Sequence, residues 1–532
     1  MNHISSAYSI KKQQRVRRTI LVVVSAALAL AAIIATSENK PEFDLSDSSK
    51  KNTLAISGPW EFTSIDPSLH GYIYTRMQVL ETLLNINDKG AIIAGLASNW
   101  QSSDDNLIWR FTLRSGVTFH DGQEMDAEAV VNSLKFAQRK HGVLNTAEIT
   151  NISAVSNNEV QITLAKPYTA FTSLLTHYST AILSPDSYKI NGAIGTLYGS
   201  GPYQVAEFAP PHKLTVKKFN DYWGHKPTIK YATYLTGHRV ESRILQAKSG
   251  EADIVFTLGA SMLGQQESDE AVLHSTIMPR TLMVKLNSSH PFLDSIAARK
   301  ALSLAIDRSS IASNVLDANN SETVQIMPSA LSQWHIEEAD RDEYSLNKAN
   351  ELLAGLGWTR NASGLLERNG MPFTLTMMTY ADRPELTAVA TAIQAQWAKL
   401  GVKLKIDVTN SSMIPAGHND DSLEVALIAR NFGTTGDPLS IMNNDFTHGG
   451  GDWGAMNWHN SEVDQAMEAL ILSPDPKTSY ELSQKVATII YQEAPVFAIT
   501  SYTENTGVNK RVKNFRFDPF ERDYFINQME LK

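Results

Sequence analysis

The chain has 532 residues, more than one hydrophobic core of about 250–300 residues accommodates, so at least two domains are expected. Its 42% apolar and 19% charged content suits a globular protein, and its net charge of −9 argues against a nucleic-acid binder, which carries a basic face. The absence of cysteine excludes thiolate metal sites, disulfides, a cysteine nucleophile and a lipid-anchored cysteine.

In chain order, the first feature is a basic cluster of Lys11, Lys12, Arg15, Arg17 and Arg18, followed by an apolar run from Ile20 to Ala35. A basic segment before an apolar stretch of this length reads as a secretion signal, with cleavage expected after Ala35; failing cleavage it would serve as an N-terminal anchor. Residues 1–36 are assigned to it and the polar residues 37–51 to a flexible tether, so the folded part is expected to start near Asn52. A helix is expected from Asp126, acting as N-cap, to Lys140. Alternation of apolar and polar residues predicts strands over Asn158 to Ala165 and Lys213 to Phe219. The strongest helix runs from Pro384 to Leu400, with Leu386, Val389, Ala390, Ile393, Trp397 and Leu400 on one face and Gly401 as C-cap. A strand from Val402 to Val408 follows. Short strands and helices in alternation define an α/β class with mixed sheets.

Signatures of chemistry are sparse. No phosphate-binding loop, His-Glu-x-x-His or Gly-x-Ser-x-Gly occurs. Gly449, Gly451 and Gly454 match a dinucleotide spacing but neither follow a strand nor open a helix, so a glycine-rich loop is the better account. His120-Asp121 has no nucleophile beside it and is followed by Gly122, which favours a turn over a general base. His418, His448 and His459 lie near Asp445 and Asp452, but their spacing fits no metal motif, and surface histidines are the preferred reading. Trp453 and Trp458 flank Asn457, where aromatics serve either a ligand or the core.

Three stretches carry a resemblance. The first includes Glu81 and Leu83, Leu96-Ala97 with Trp100, Asp104-Asp105, and Phe111 through Phe119-His120-Asp121-Gly122. The second joins Gly199-Ser200-Gly201-Pro202-Tyr203 to Asn220 and Tyr222-Trp223-Gly224. The third includes Arg299-Lys300-Ala301-Leu302 and Ala305-Ile306-Asp307-Arg308. Together they resemble the solute-binding proteins of the peptide/nickel-binding family (family 5), over about residues 52–532.

That resemblance implies a two-lobed periplasmic-binding-protein fold of the large, type II or cluster C kind, closing at a two-crossing hinge. Lobe one would span 52–285, with an inserted subdomain at about 86–198. Lobe two would span 286–499, and residues 500–532 would return to lobe one. The crossings would fall at Lys285-Leu286-Asn287 and at Thr500-Ser501. The protein would be a periplasmic, monomeric, non-enzymatic component of an ABC importer. It would pass a small peptide-like or opine-like solute to a membrane permease, without a cofactor, a metal site or nucleic acid. Nickel, as a histidine or metallophore complex, is the alternative ligand; a periplasmic chaperone or enzyme is the alternative of another class.

Six of the candidate ligand contacts follow from the same resemblance. Thr434 stands where peptide-binding relatives place an amine-binding aspartate, and Asp437, before Pro438, is the nearest acid. Arg139 matches a ligand-facing arginine of the nickel branch, whose second arginine is replaced by Tyr178. Arg430 and Phe432 match the lobe-two arginine and the aromatic after it. Tyr72, Tyr74, Trp453 and Asn457 complete the set.

Overall fold

Two long strands, Ala271–Leu286 and Val496–Asn509, pair antiparallel at the middle of a ten-stranded sheet. The computed structural model describes residues 52–140, 142–258, 271–337, 339, 344–381, 383–448, 451–473 and 475–532. The expected secretion signal and tether, and Gly449 of the glycine-rich loop, lie outside the described residues. Other strands join the long pair near its two ends. Strand Val425–Asn431 pairs with Arg280–Leu286, and Thr374–Tyr380 and Lys403–Thr409 follow it in parallel. At the far end Ile254–Val255 pairs with Gly507–Val508, and Thr53–Gly58, Tyr231–Thr236, Lys213–Lys218 and Tyr203–Ala209 extend the sheet. Parallel and antiparallel pairs both occur, which makes the sheet mixed.

Between these attachments, residues 272–277 pair, among the described strands, only with the other long strand. The register shifts between Ile277 and Thr281 and again between Leu282 and Met283. Such irregularities bend a strand and increase its twist, and Pro279, which has no N–H to donate, sits within the first. Lys285 and Leu286 pair with Ala426 and Val425 at the end of the pairing with Val425–Asn431.

Local signals account for the flanking elements. Helix Pro384–Leu400 has the expected ends, and Gly401 at φ +93° closes it in the left-handed conformation that glycine tolerates. Its apolar stripe from Leu386 to Leu400 is fully buried, each large side chain contributing about 1.5–3 kcal/mol. It connects the parallel strands Thr374–Tyr380 and Lys403–Thr409. Helix Ala127–Gln138 is capped by Asp126, whose carboxylate accepts from Ala129 N at 2.8 Å. It shares a core with a separate four-stranded sheet in the order Ala97–Ser102, Ile108–Leu113, Glu159–Leu164, Ile149–Ser156.

The sequence motifs converge on two scaffold points. Glu81 accepts hydrogen bonds from Ser200 Oγ at 2.7 Å, Tyr222 Oη at 3.0 Å and Trp223 Nε1 at 3.0 Å. His120 Nδ1 accepts from Gly199 N at 3.2 Å, which leaves Nε2 to donate to Gly201 O at 2.9 Å. Burial pushes the His120 imidazole down to about 4, so it stays neutral. A Cβ on Gly199 or Gly201 would sit 2.1 Å from Val79 O or 2.2 Å from Gln78 O, which is why this loop needs glycine. His120-Asp121-Gly122 is thus a scaffold turn; Asp121 also accepts from Ser184 Oγ.

Candidate functional site

The bulged part of the long strand pair opens onto a cavity of about 880 Å³. Arg280 and Tyr502 reach it from the two long strands, Arg430 from Val425–Asn431, Tyr380 from Thr374–Tyr380, and Arg383 and Glu385 from the start of helix Pro384–Leu400. Trp453 lines it from the glycine-rich loop and packs edge-on against Tyr380, ring centroids 6.2 Å apart.

Three guanidinium groups define its electrostatics. Arg383 Nη1 donates to Tyr502 Oη at 2.8 Å, and the carboxylate paired with it, Glu385, is 3.9 Å away, beyond hydrogen-bond reach. Burial opposes the Arg383 charge, but Tyr502 and Glu385 outweigh it and hold the guanidinium above its usual range. Burial raises the Tyr502 phenol, so it stays neutral and retains its proton. Arg280 lies over the other side of this neighbourhood, 5.1 Å from the Tyr502 ring, and pairs with Glu521 at 2.7 Å. Arg430 is held by two parallel bonds to Asp445, at 2.7 and 2.8 Å, the geometry that fits a guanidinium to a carboxylate. Gly454 lets its chain approach the Asp445 backbone, where a Cβ would meet Asp445 O at 2.0 Å.

A second cavity of about 300 Å³ adjoins the first through Asn431, which lines both. It collects Tyr72, Tyr178 and Thr434, with the Tyr72 and Tyr178 rings edge-on at 5.9 Å. Glu521 stands in its wall, accepting from Arg76 Nη2 at 3.3 Å as well as from Arg280. Burial alone would raise the Glu521 carboxyl, but Arg280, Arg76 and Arg383 overcome that and lower it. A third cavity of about 570 Å³, around Trp334 and Phe497, holds none of the candidate residues.

Of the ten candidates, then, Arg430 and Trp453 line the larger cavity and Tyr72, Tyr178 and Thr434 the smaller. The other five line neither cavity. Tyr74 is fully buried, its hydroxyl donating to Ser64 O at 2.7 Å. Phe432 is core, and its N–H is given to Pro279 O at 2.8 Å. Asp437 accepts from the N–H of Leu439, the first residue of helix Leu439–Phe446, at 2.8 Å. Asn457 donates to Asn287, Ser289 and Asp421. Arg139 is the exposed C-cap of helix Ala127–Gln138. The histidines have local partners: His418 meets Lys285 Nζ at 2.6 Å and His459 meets Asp464 at 2.8 Å. Among the described residues no group of three or more His, Asp or Glu is placed to hold a metal ion. Sequence reasoning missed Arg280, Arg383, Glu385 and Tyr502; the one available signal was an arginine directly before a strong helix start.

A mixed α/β fold arranged around a sheet-spanning cavity is that of the bacterial periplasmic solute-binding proteins. The chain belongs to the bacterial extracellular solute-binding proteins, family 5, whose family description (family 5 Middle) matches residues 91–453. It is the solute-capturing component of an ABC importer. It is similar to the nickel-binding periplasmic protein of Escherichia coli (strain K12), at 23% identity over 497 residues, covering 90% of this chain and 94% of that one. The probable D,D-dipeptide-binding periplasmic protein DdpA of the same organism is 26% identical over 505 residues, with 90% and 94% covered. The crystal structure of NikA from Brucella suis in complex with Fe(III)-EDTA matches with a TM-score of 0.83 and 21% identity, covering 90% of this chain and 100% of that one. Among the described residues no helix is long and apolar enough to cross a membrane.

Proposed function

We propose that the protein captures a small carboxylate-bearing, amino-acid-derived solute, peptide-like or opine-like, and delivers it to a membrane permease. The observation that carries this reading is Arg383: its guanidinium faces the larger cavity without a carboxylate in hydrogen-bond reach among the described residues. A guanidinium that never loses its charge and presents a planar fork is suited to a ligand carboxylate. Arg430, fixed by Asp445, would be the second contact, and Trp453 and Tyr380 would cover the apolar part of the solute. Tyr72, Tyr178 and Thr434 would take a longer ligand in the smaller cavity. Thr434 has no charge with which to neutralise an ammonium group, so an amine must find another acid.

The lobes would be the two sheet halves, hinged at residues 272–279 and 502–506, between the strands that flank the long pair at its two ends. Residues 500–532 would return to the first lobe, and the four-stranded sheet would be its inserted subdomain. The protein would act as an exported periplasmic monomer without an enzymatic step, since His120 is neutral and spent on the Gly199–Gly201 loop.

A metal chelate is the second reading. A polycarboxylate chelate would meet the same arginines, and NikA of Brucella suis is in complex with such a compound, Fe(III)-EDTA. The metal would then arrive already ligated.

Native mass spectrometry of protein purified without refolding tests the proposal. An added mass belonging to an acidic, amino-acid-derived compound is expected, and R383A should lose it. A neutral or purely cationic co-purified compound, or retention by R383A, overturns the reading.

A further inference from the structure

Glu385 is unusual within the larger cavity. Its side chain is 17% exposed, it lines the cavity, and Oε1 is buried without a hydrogen-bond partner. A buried carboxylate oxygen without a hydrogen bond is costly, and a donor on a ligand in the cavity would relieve it. The Arg383 guanidinium stands beside it at 3.9 Å and is itself turned toward Tyr502. An anion site would have no use for this acid, which repels a carboxylate.

We infer that Arg383 and Glu385 together recognise a zwitterionic α-amino-acid head group, the carboxylate on Arg383 and the ammonium on Glu385. This rests on the carboxylate reading above and narrows it. Two opposite charges 3.9 Å apart match a head group whose ammonium and carboxylate stand on one carbon. The termini of an ordinary dipeptide are several bonds apart and would satisfy only one of the two. Opines and γ-glutamyl compounds carry the adjacent arrangement; plain dipeptides and N-acylated amino acids do not. Glu385 also supplies the acid that Thr434 cannot.

Titration calorimetry on the full exported chain with three probes decides the matter: γ-glutamylalanine, its α-linked isomer and N-acetyl-γ-glutamylalanine. The first two have the same mass and charge and differ in whether ammonium and carboxylate share a carbon. We expect γ-glutamylalanine to bind at least about tenfold tighter than either of the others, the scale of one charge-assisted hydrogen bond. E385Q should erase that preference, weakening γ-glutamylalanine while N-acetyl-γ-glutamylalanine binds no more weakly than to the parent. Equal affinity for the acetylated probe overturns the inference on the parent protein alone, with no variant needed. In that case loss of all binding in R383A would leave the carboxylate reading standing. If no probe binds the parent, or R383A binds as the parent does, the carboxylate reading itself fails and the inference with it.

Discussion

Arg383 and Tyr502 are joined twice: the Arg383 guanidinium donates to the Tyr502 hydroxyl at 2.8 Å and lies 5.0 Å from the centre of its ring. One residue opens a helix of one sheet half, and the other lies in the strand that runs through both halves. The contact therefore fixes a cavity arginine to the element about which closure would occur.

Tyr502→Phe should loosen this arrangement. The ring and its cation–π contact remain, but Arg383 loses the Tyr502 hydroxyl as a hydrogen-bond acceptor. A stability loss of about 0.5–1.5 kcal/mol is expected, read as a lower urea midpoint at unchanged m-value. Affinity for an anionic ligand should fall with it.

The Arg430–Asp445 pair should be more sensitive. Asp445 is fully buried, and Asp445→Ala leaves the cavity-lining Arg430 guanidinium without its carboxylate, with a cost of about 1–3 kcal/mol. Asp445→Asn, which keeps one acceptor oxygen, should cost less. Equilibrium unfolding of the two variants checks the order.

Glu504 gives the protein a pH dependence. It lies in the long strand and accepts from Thr257 N and, at 3.2 Å, from Thr257 Oγ1. Burial, reinforced by Glu521, pushes its carboxyl up to about 7 from an ordinary value of 4.5. The folded state therefore holds this proton more tightly than the unfolded chain. Its contribution is fully present below about pH 4.5 and is lost as pH rises through about 7. Denaturant midpoints measured from pH 4.5 to 8 should fall less steeply for Glu504→Gln than for the parent.

Closure can be followed directly. If residues 272–279 and 502–506 form the hinge, saturating ligand should reduce the radius of gyration in small-angle scattering. A cross-link between the two sheet halves should abolish the change. Ligand binding with no change in radius in the uncross-linked protein would rule the hinge out.

Much of the scaffold is legible in the amino-acid sequence alone, because its causes are local. The helix Pro384–Leu400 is bounded by a 3.6-residue apolar period and by Gly401, which supplies the left-handed turn. The strands at Glu159–Leu164 and Lys213–Lys218 follow from alternation, and Asp126 caps its helix as an aspartate in that place should. The motif residues Glu81, His120, Gly199 and Tyr222 form a pattern, and their contacts give the pattern its physical reason. The contrast between two neighbouring candidates has a local cause as well. Tyr72 and Tyr74 are two residues apart on a helix and so face opposite sides, which puts one in a cavity and the other in the core.

The binding surface is decided only by tertiary structure. Arg280, Arg383 and Arg430 are far apart in the chain and meet because the long strand pair and its neighbours bring three different elements to one cavity. No local period distinguishes an arginine that enters a cavity from one, like Arg139, left in solvent at a helix end. Nor does it distinguish an acid spent on a backbone N–H at a helix start, like Asp437, from one with a buried oxygen left without a hydrogen bond, like Glu385. Secondary structure follows from the residues next to each other in the chain; which charges face each other across a cavity depends on how the elements pack.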